Sequence, residues 1–221
     1  MDALIDNFFN VDVMIRVFPL VATGLGMTLL VCVAVVPLGL LGGLIVAFGM
    51  RSRWRMVRIL IAALVDLFRS VPPLVLLIFI HSGLPFVGIR LSPYTSVCVT
   101  FLLNTSAFYG EVYRAGLESV GIGQWEAARS TGLTPLQATT YVVLPQAVRN
   151  VLPDLISNTV EVVKLTALAS VVGLPEMLYS SDMGRAVTQN STPIVLAAAI
   201  YLVLLWPVVR LVSKLEHRLG H

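Results

Sequence analysis

The stretch VFPLVATGLGMTLLVCVAVVPLGLLGGLIVAFGM, residues 17–50, carries the chain from Arg16 to Arg51 without one charged side chain. A helix needs about 20 consecutive apolar residues to cross a bilayer, so a first membrane span is expected over residues 23–48. Within it, Thr23, Gly24, Gly26, Thr28 and the run 39–43 place small residues on helix faces, which suits close packing of helices in lipid. The remainder of the chain has the same character. It is 57% hydrophobic and 12% charged, with a mean hydropathy of +0.89, whereas a soluble domain carries about 25% charged residues.

These values point to an all-α polytopic membrane protein built as one domain. Further spans are expected over residues 59–80, 93–112, 153–173 and 193–212, about five in all, each near the ~20 residues that a bilayer requires. Asp2, Asp6, Asp12 and Arg16 precede the first span and leave room for a short interfacial helix. The start has no basic segment before an apolar one, so no cleavable signal peptide is expected. Cys32 and Cys98 fall inside apolar spans and read as packing residues.

The net charge of +3 does not indicate nucleic acid, because the basic residues gather at the ends of apolar segments. Arg51, Arg53, Arg55 and Arg58 fill the first loop, Arg114, Arg129 and Arg149 the third, and Arg210, Lys214 and Arg218 the end, while the second and fourth loops offer only Arg90 and Arg185. The positive-inside rule therefore puts the N-terminus outside and the C-terminus inside, with the third loop, about residues 114–150, in the cytoplasm.

That loop contains GQWEAARSTGLTPLQATTYVVLP, residues 123–145, the longest piece unsuited to lipid. Gln124 to Ser130 are good helix formers, and Gly132 follows where a left-handed helix stop is usual. Thr134-Pro135-Leu136-Gln137 reads as a new helix start, with a capping hydroxyl, proline at the first helical position and glutamine completing a capping box. Leu144-Pro145 is expected to end this second helix. The result is two short helices around a glycine corner, a docking element.

Two spans carry charge at membrane depth: Asp66 and Arg69 in the second, Glu161 and Lys164 in the fourth. Counted from the cytoplasmic face at ~1.5 Å per residue, the acids lie about 10–12 Å in and the bases about 15 Å in. Each acid precedes its base by three residues, so each pair can meet on one helix face. Such pairs either neutralise each other within the bundle or line a substrate path. Asn104 and Asn158 are open to the same two readings, as helix–helix hydrogen bonds or as substrate contacts. Glu111 and Tyr113 are expected at the interface. After Arg69, Ser70-Val71-Pro72-Pro73 cannot continue a regular helix, and broken helices persist at depth only where protein or a watery cavity satisfies the backbone.

The sequence resembles the permease subunits of bacterial ABC importers. Glu126-Ala127-Ala128, Gly132 and Val142-Val143-Leu144-Pro145 match that family's cytoplasmic "EAA" loop at its spacing, and residues 104–111 and 144–149 look like the polar amino-acid branch. The likeness runs from about Gly24 to the C-terminus. It implies that the loop, with Gln124, Trp125, Glu126, Ala127, Ala128, Gly132, Thr134 and Pro135, fits a groove on an ATPase subunit. Glu126 is expected to cap or to form a salt bridge within the corner. The resemblance also implies a substrate path near Asp66, Arg69, Ser70, Pro72, Asn104, Asn158, Glu161, Lys164 and Thr166. Two departures bear on the substrate: Ser70-Val71 stands where such permeases usually have Gly-Thr, and Lys164-Leu165-Thr166 where they commonly have Lys-Asp-Thr.

The chain has no Gly-Lys pair and hence no P-loop, so ATP and Mg are expected on a partner subunit. His81, His217 and His221 are scattered and suggest no metal site. No catalytic constellation and no large extramembrane domain are visible. The expected partners are therefore an ATPase dimer, a second permease copy or a homologous permease, a periplasmic or lipid-anchored amino-acid-binding protein, and the lipid of the bacterial inner membrane. The expected function is alternating-access import of polar, possibly charged, amino acids. The alternative is a stand-alone secondary transporter or channel using the midplane ion pairs, against which stand an odd number of spans and no inverted repeat.

Overall fold

The computed structural model describes residues 2–219, which are helical nearly throughout and include no strand. A short helix, α1 (Asp2–Phe8), precedes α2 (Val11–Met50). The Asn10 side chain caps α2 by accepting the Val13 N–H at 3.1 Å. At 40 residues, α2 is about 60 Å long and exceeds the ~30 Å hydrocarbon core at its N-terminal end.

The second expected span is not one straight helix. α3 (Arg55–Ser70) ends at Val71-Pro72, and α4 (Pro73–Ile78) leaves through a π turn and a 3₁₀ turn to Val87, at 102° to α3. α5 (Pro93–Ser119) begins at the Ser92 cap and packs against α2, α3 and α8. Enclosure by protein lets α5 carry buried Ser96, Thr100, Asn104 and Thr105, and Thr100 returns its hydroxyl to the Ser96 carbonyl at 2.7 Å. The α2–α5 seam depends on glycine. A Cβ at Gly43 would stand 2.6 Å from the Tyr109 Cβ and 2.9 Å from the Gly110 nitrogen.

α6 (Ile122–Ser130) and α7 (Pro135–Ala138) form the corner. α7 does not stop at Leu144-Pro145, contrary to expectation. A π turn over Thr139–Val143 leads straight into α8 (Leu144–Leu165). The Leu144 N–H reaches back to the Thr139 carbonyl, and this wider turn makes room for the proline ring. Gln146 then donates its side-chain amide to the Val142 carbonyl at 2.8 Å. Pro153, expected to open the fourth span, lies inside α8, which continues as a 3₁₀ segment (Thr166–Val172) to Gly173.

α9 (Met177–Thr188) was not foreseen. Its cap is Glu176, fully buried, whose carboxylate accepts the N–H groups of Leu178 at 2.8 Å and Tyr179 at 2.7 Å. Burial pushes the Glu176 carboxyl pKa up, and the two N–H bonds pull it the other way. The Met177 N–H donates to Thr28 Oγ1 on α2 at 3.2 Å, tying α9 to the first long helix. α10 (Thr192–Leu219) closes the chain. Its start is tied to the N-terminal segment, since Thr192 Oγ1 accepts the Asn10 N–H at 3.1 Å.

One core joins Val31 and Val35 of α2 with Leu77, Phe101, Val162 and Ala169, and a second joins Val17 and Val21 with Met177, Leu196 and Ala197. Outside these cores, Val33, Ile45 and Phe48 of α2 and Val203 of α10 are each 72% exposed, an apolar surface that suits lipid. Among the described residues, three helices are long and apolar enough to cross a membrane, and four if the bent pair counts as one span.

Candidate functional site

Two regions gather the residues singled out from the sequence. At the corner, Gly132 takes φ +89°, a left-handed conformation that glycine adopts without strain. The Thr134 hydroxyl accepts the Gln137 N–H at 3.3 Å while Gln137 Oε1 accepts the Thr134 N–H at 2.9 Å, completing the capping box. Arg129 donates to the Leu133 carbonyl and lies over the Trp125 ring at 5.8 Å, so it fastens α6 to the turn. Ala128 is the buried residue of α6, whereas Gln124, Glu126 and Ala127 are exposed. Glu126 makes no ion pair among the described residues and caps nothing, so its expected role inside the corner is corrected. Ile122 and Leu136 flank the corner with 74% and 76% of their surface exposed, an apolar pair with no cover in this chain.

The second region is a crevice between α5 and α8. It encloses about 230 Å³ and is lined by Pro73, Asn104, Thr105, Phe108, Tyr109, Asn158, Glu161, Val162 and Leu165. Its wall is built around the broken helix. Pro72 has no N–H to give the Phe68 carbonyl, and the Asn104 side chain supplies that bond from α5 at 3.0 Å. On α8, Asn158 donates to the Asp154 carbonyl at 2.9 Å, and Tyr109 Oη and Thr159 Oγ1 share a hydrogen bond at 2.8 Å.

Lys164 and Glu161 form an ion pair, with side chains 50% and 61% exposed. It is not buried within the bundle. An exposed pair of this kind is worth only about 0–1 kcal/mol, so it opens readily to a competing charge. The other expected pair does not form. Arg69 turns from Asp66 to Glu111 on α5, 3.7 Å away, and lies over the Phe108 ring at 5.5 Å. Glu111 is the centre of a network, accepting Arg114 Nε at 3.0 Å and Nη2 at 2.5 Å, while Arg114 also reaches Glu118 at 2.6 Å. Arg69 thus reaches from α3 to α5 through one long contact, whereas the two-pronged grip on Glu111 comes from Arg114 on its own helix. Asp66 and Ser70 are exposed on α3 and do not line the crevice. Thr166 does not line it either. It is buried, and its hydroxyl donates to the Val163 carbonyl at 2.6 Å.

Comparison with known proteins gives one consistent result. A family model described as "Binding-protein-dependent transport system inner membrane component" matches residues 39–221. The chain is 33% identical over 197 residues to the probable amino-acid ABC transporter permease protein YckA of Bacillus subtilis (strain 168), covering 89% of this chain and 87% of that one. It is 33% identical over 211 residues to the probable glutamine ABC transporter permease protein GlnM of the same organism, covering 95% and 98%. A solved amino acid ABC transporter with histidines matches with TM-score 0.87 at 34% identity, over 93% of this chain and 96% of that one. The MetNI methionine ABC transporter, in an inward facing form, shares the fold at TM-score 0.72 and 20% identity. The chain therefore belongs to the binding-protein-dependent transport system inner membrane components, the multi-pass permease subunits of ABC importers.

Proposed function

We propose that this permease carries polar amino acids inward through the α5–α8 crevice, powered by ATP bound with Mg on a separate pair of ATPase subunits. The observation that carries the reading is the composition of that crevice. Asn104 and Asn158, an aromatic wall at Phe108 and Glu161 border one cavity, and Lys164 is joined to it through its ion pair with Glu161. A zwitterion presents an ammonium and a carboxylate, and it can replace each member of an exposed ion pair at little cost. Glu161 would receive the ammonium and Lys164 the carboxylate. Membership of the permease family removes the stand-alone transporter as a competing reading.

In this scheme the N-terminus is outside and the cytoplasm holds the C-terminus and residues 114–150. About five helices span the membrane, with the broken α3–α4 pair as the second, and a second permease, identical or homologous, completes the pathway. The ATPase grips α6 and α7 through Gln124, Trp125, Glu126 and Ala127, with exposed Ile122 and Leu136 filling its groove. Gly132, Thr134 and Pro135 hold the corner stiff, so that motion of the ATPase passes through the continuous 135–172 helix to Glu161 and Lys164. A binding protein delivers the amino acid on the outer side. The chain itself performs no chemistry.

The test is reconstitution of the chain with its ATPase and binding protein in liposomes, followed by ATP-dependent uptake of labelled amino acids. Uptake that disappears without ATP supports the reading. Uptake that persists without the ATPase overturns it.

A further inference from the structure

The crevice is not the only cavity along α8. Below the crevice, a second cavity of about 390 Å³ is bounded by Ala115, Gly116 and Ser119 of α5 and by Asn150, Pro153 and Asp154 of α8. Because α8 runs unbroken through Pro153, Asn150, Asp154, Asn158 and Glu161 recur at helical spacing and form one polar stripe. Asn150 donates to Ser119 Oγ across the lower cavity at 2.8 Å, and Asn158 donates to the Asp154 backbone. The Asp154 carboxylate is different. It is exposed and takes part in no hydrogen bond or ion pair among the described residues. The facing α5 wall offers it no cation, and Arg114, next to that wall, is committed to Glu111 and Glu118. At the cytoplasmic edge of the fourth span this carboxylate faces water or a partner, not lipid.

We infer that Asp154 is a second substrate-binding residue, one that receives the ammonium group of an amino acid leaving Glu161 and so sets the rate of release to the cytoplasm. This rests on the importer reading above. Asp154 lies seven residues before Glu161, about 10 Å along the helix. With Asn158 between them, one amino acid can move from the first carboxylate to the second without shedding all its polar contacts. Proton transfer is not required, since the ammonium stays charged throughout.

The experiment uses the reconstituted complex of permease, ATPase and binding protein, with labelled glutamine, histidine and arginine as probes. For whichever probe the wild type takes up, D154N is expected to lower kcat about tenfold while KM stays within about twofold, since the interaction lost is a charge-assisted one made after loading. D154E is expected to recover most of the rate. A115K, which tethers an ammonium on the exposed opposite wall, is expected to lower kcat in the same way. Wild-type kcat in both D154N and A115K would overturn the inference and leave the importer reading standing. A change confined to KM, or loss of subunit co-elution in D154N and D154E alike, would also overturn it. A wild-type complex that takes up no probe would instead remove the importer reading, and the inference with it.

Discussion

The side-chain amide of Asn104 donates to the Phe68 carbonyl at 3.0 Å, the one carbonyl that Pro72 strips of its helical partner. A single bond thus fixes where α3 ends against α5 and shapes the wall of the crevice. Replacing Asn104 with alanine leaves a carbonyl unpaired, at a cost of about 1–3 kcal/mol. A lower unfolding temperature in detergent is the expected result. In a Pro72→Ala background, where the restored backbone N–H can donate to the Phe68 carbonyl, the same replacement is expected to cost much less. An additive double-mutant cycle would count against the assignment.

At Gly132, φ is +89° and an added Cβ meets nothing within 4 Å. The cost of a side chain there is therefore backbone strain, about 1–3 kcal/mol for a β-branched residue. Gly132→Val is expected to insert and assemble normally but to take up little amino acid per ATP hydrolysed, and Gly132→Asn to be milder. Uptake and hydrolysis measured on one preparation decide this; normal uptake in the valine variant would sink the coupling role.

Glu161→Gln keeps the shape of the crevice and removes its charge. Lys164 then loses its partner and the substrate ammonium its carboxylate, so affinity is expected to fall for every amino acid and furthest for cationic ones, whose second charge the same carboxylate attracts. Competition between labelled glutamine and unlabelled arginine reports the difference, and an unchanged profile would return Glu161 to a structural role.

Glu176 gives a dependence on pH. Burial raises its folded-state pKa above the usual value. A raised carboxyl favours the protonated folded form, so its contribution to stability is complete below the unfolded pKa near 4.3 and is lost as pH rises through the folded value. Thermal stability in detergent is expected to fall across that window. Glu176→Gln retains an oxygen to cap α9 and is expected to flatten the dependence. Glu176→Ala removes the cap and is expected to cost about 1 kcal/mol at low pH, where the carboxyl contributes in full, and less as pH rises.

Much of this was legible in the residues because it depends on local geometry. The Thr134–Gln137 capping box, the left-handed Gly132 and the break at Pro72 each follow from a few neighbouring side chains. What escaped depends on distant or compensating partners. Leu144-Pro145 reads as a stop, yet the π turn before it and the Gln146 side chain carry the helix through. Arg69 has an acid one turn away, yet its contact is with Glu111 on another helix. Thr166 follows Lys164 in sequence but turns inward as the α-helix tightens into a 3₁₀ segment. α9 lacks the usual Ser, Thr, Asp or Asn cap, and only the folded chain shows Glu176 in that place.

The contact of backbones at Gly43 and Gly110 has a mechanical corollary. Interlocked side chains can change rotamers and let helices shear, but two backbones in contact have nothing to rearrange. α2 and α5 must therefore travel as one stiff body. Deformation during a transport cycle falls to the joint where helical hydrogen bonding is already broken, the elbow at Pro72.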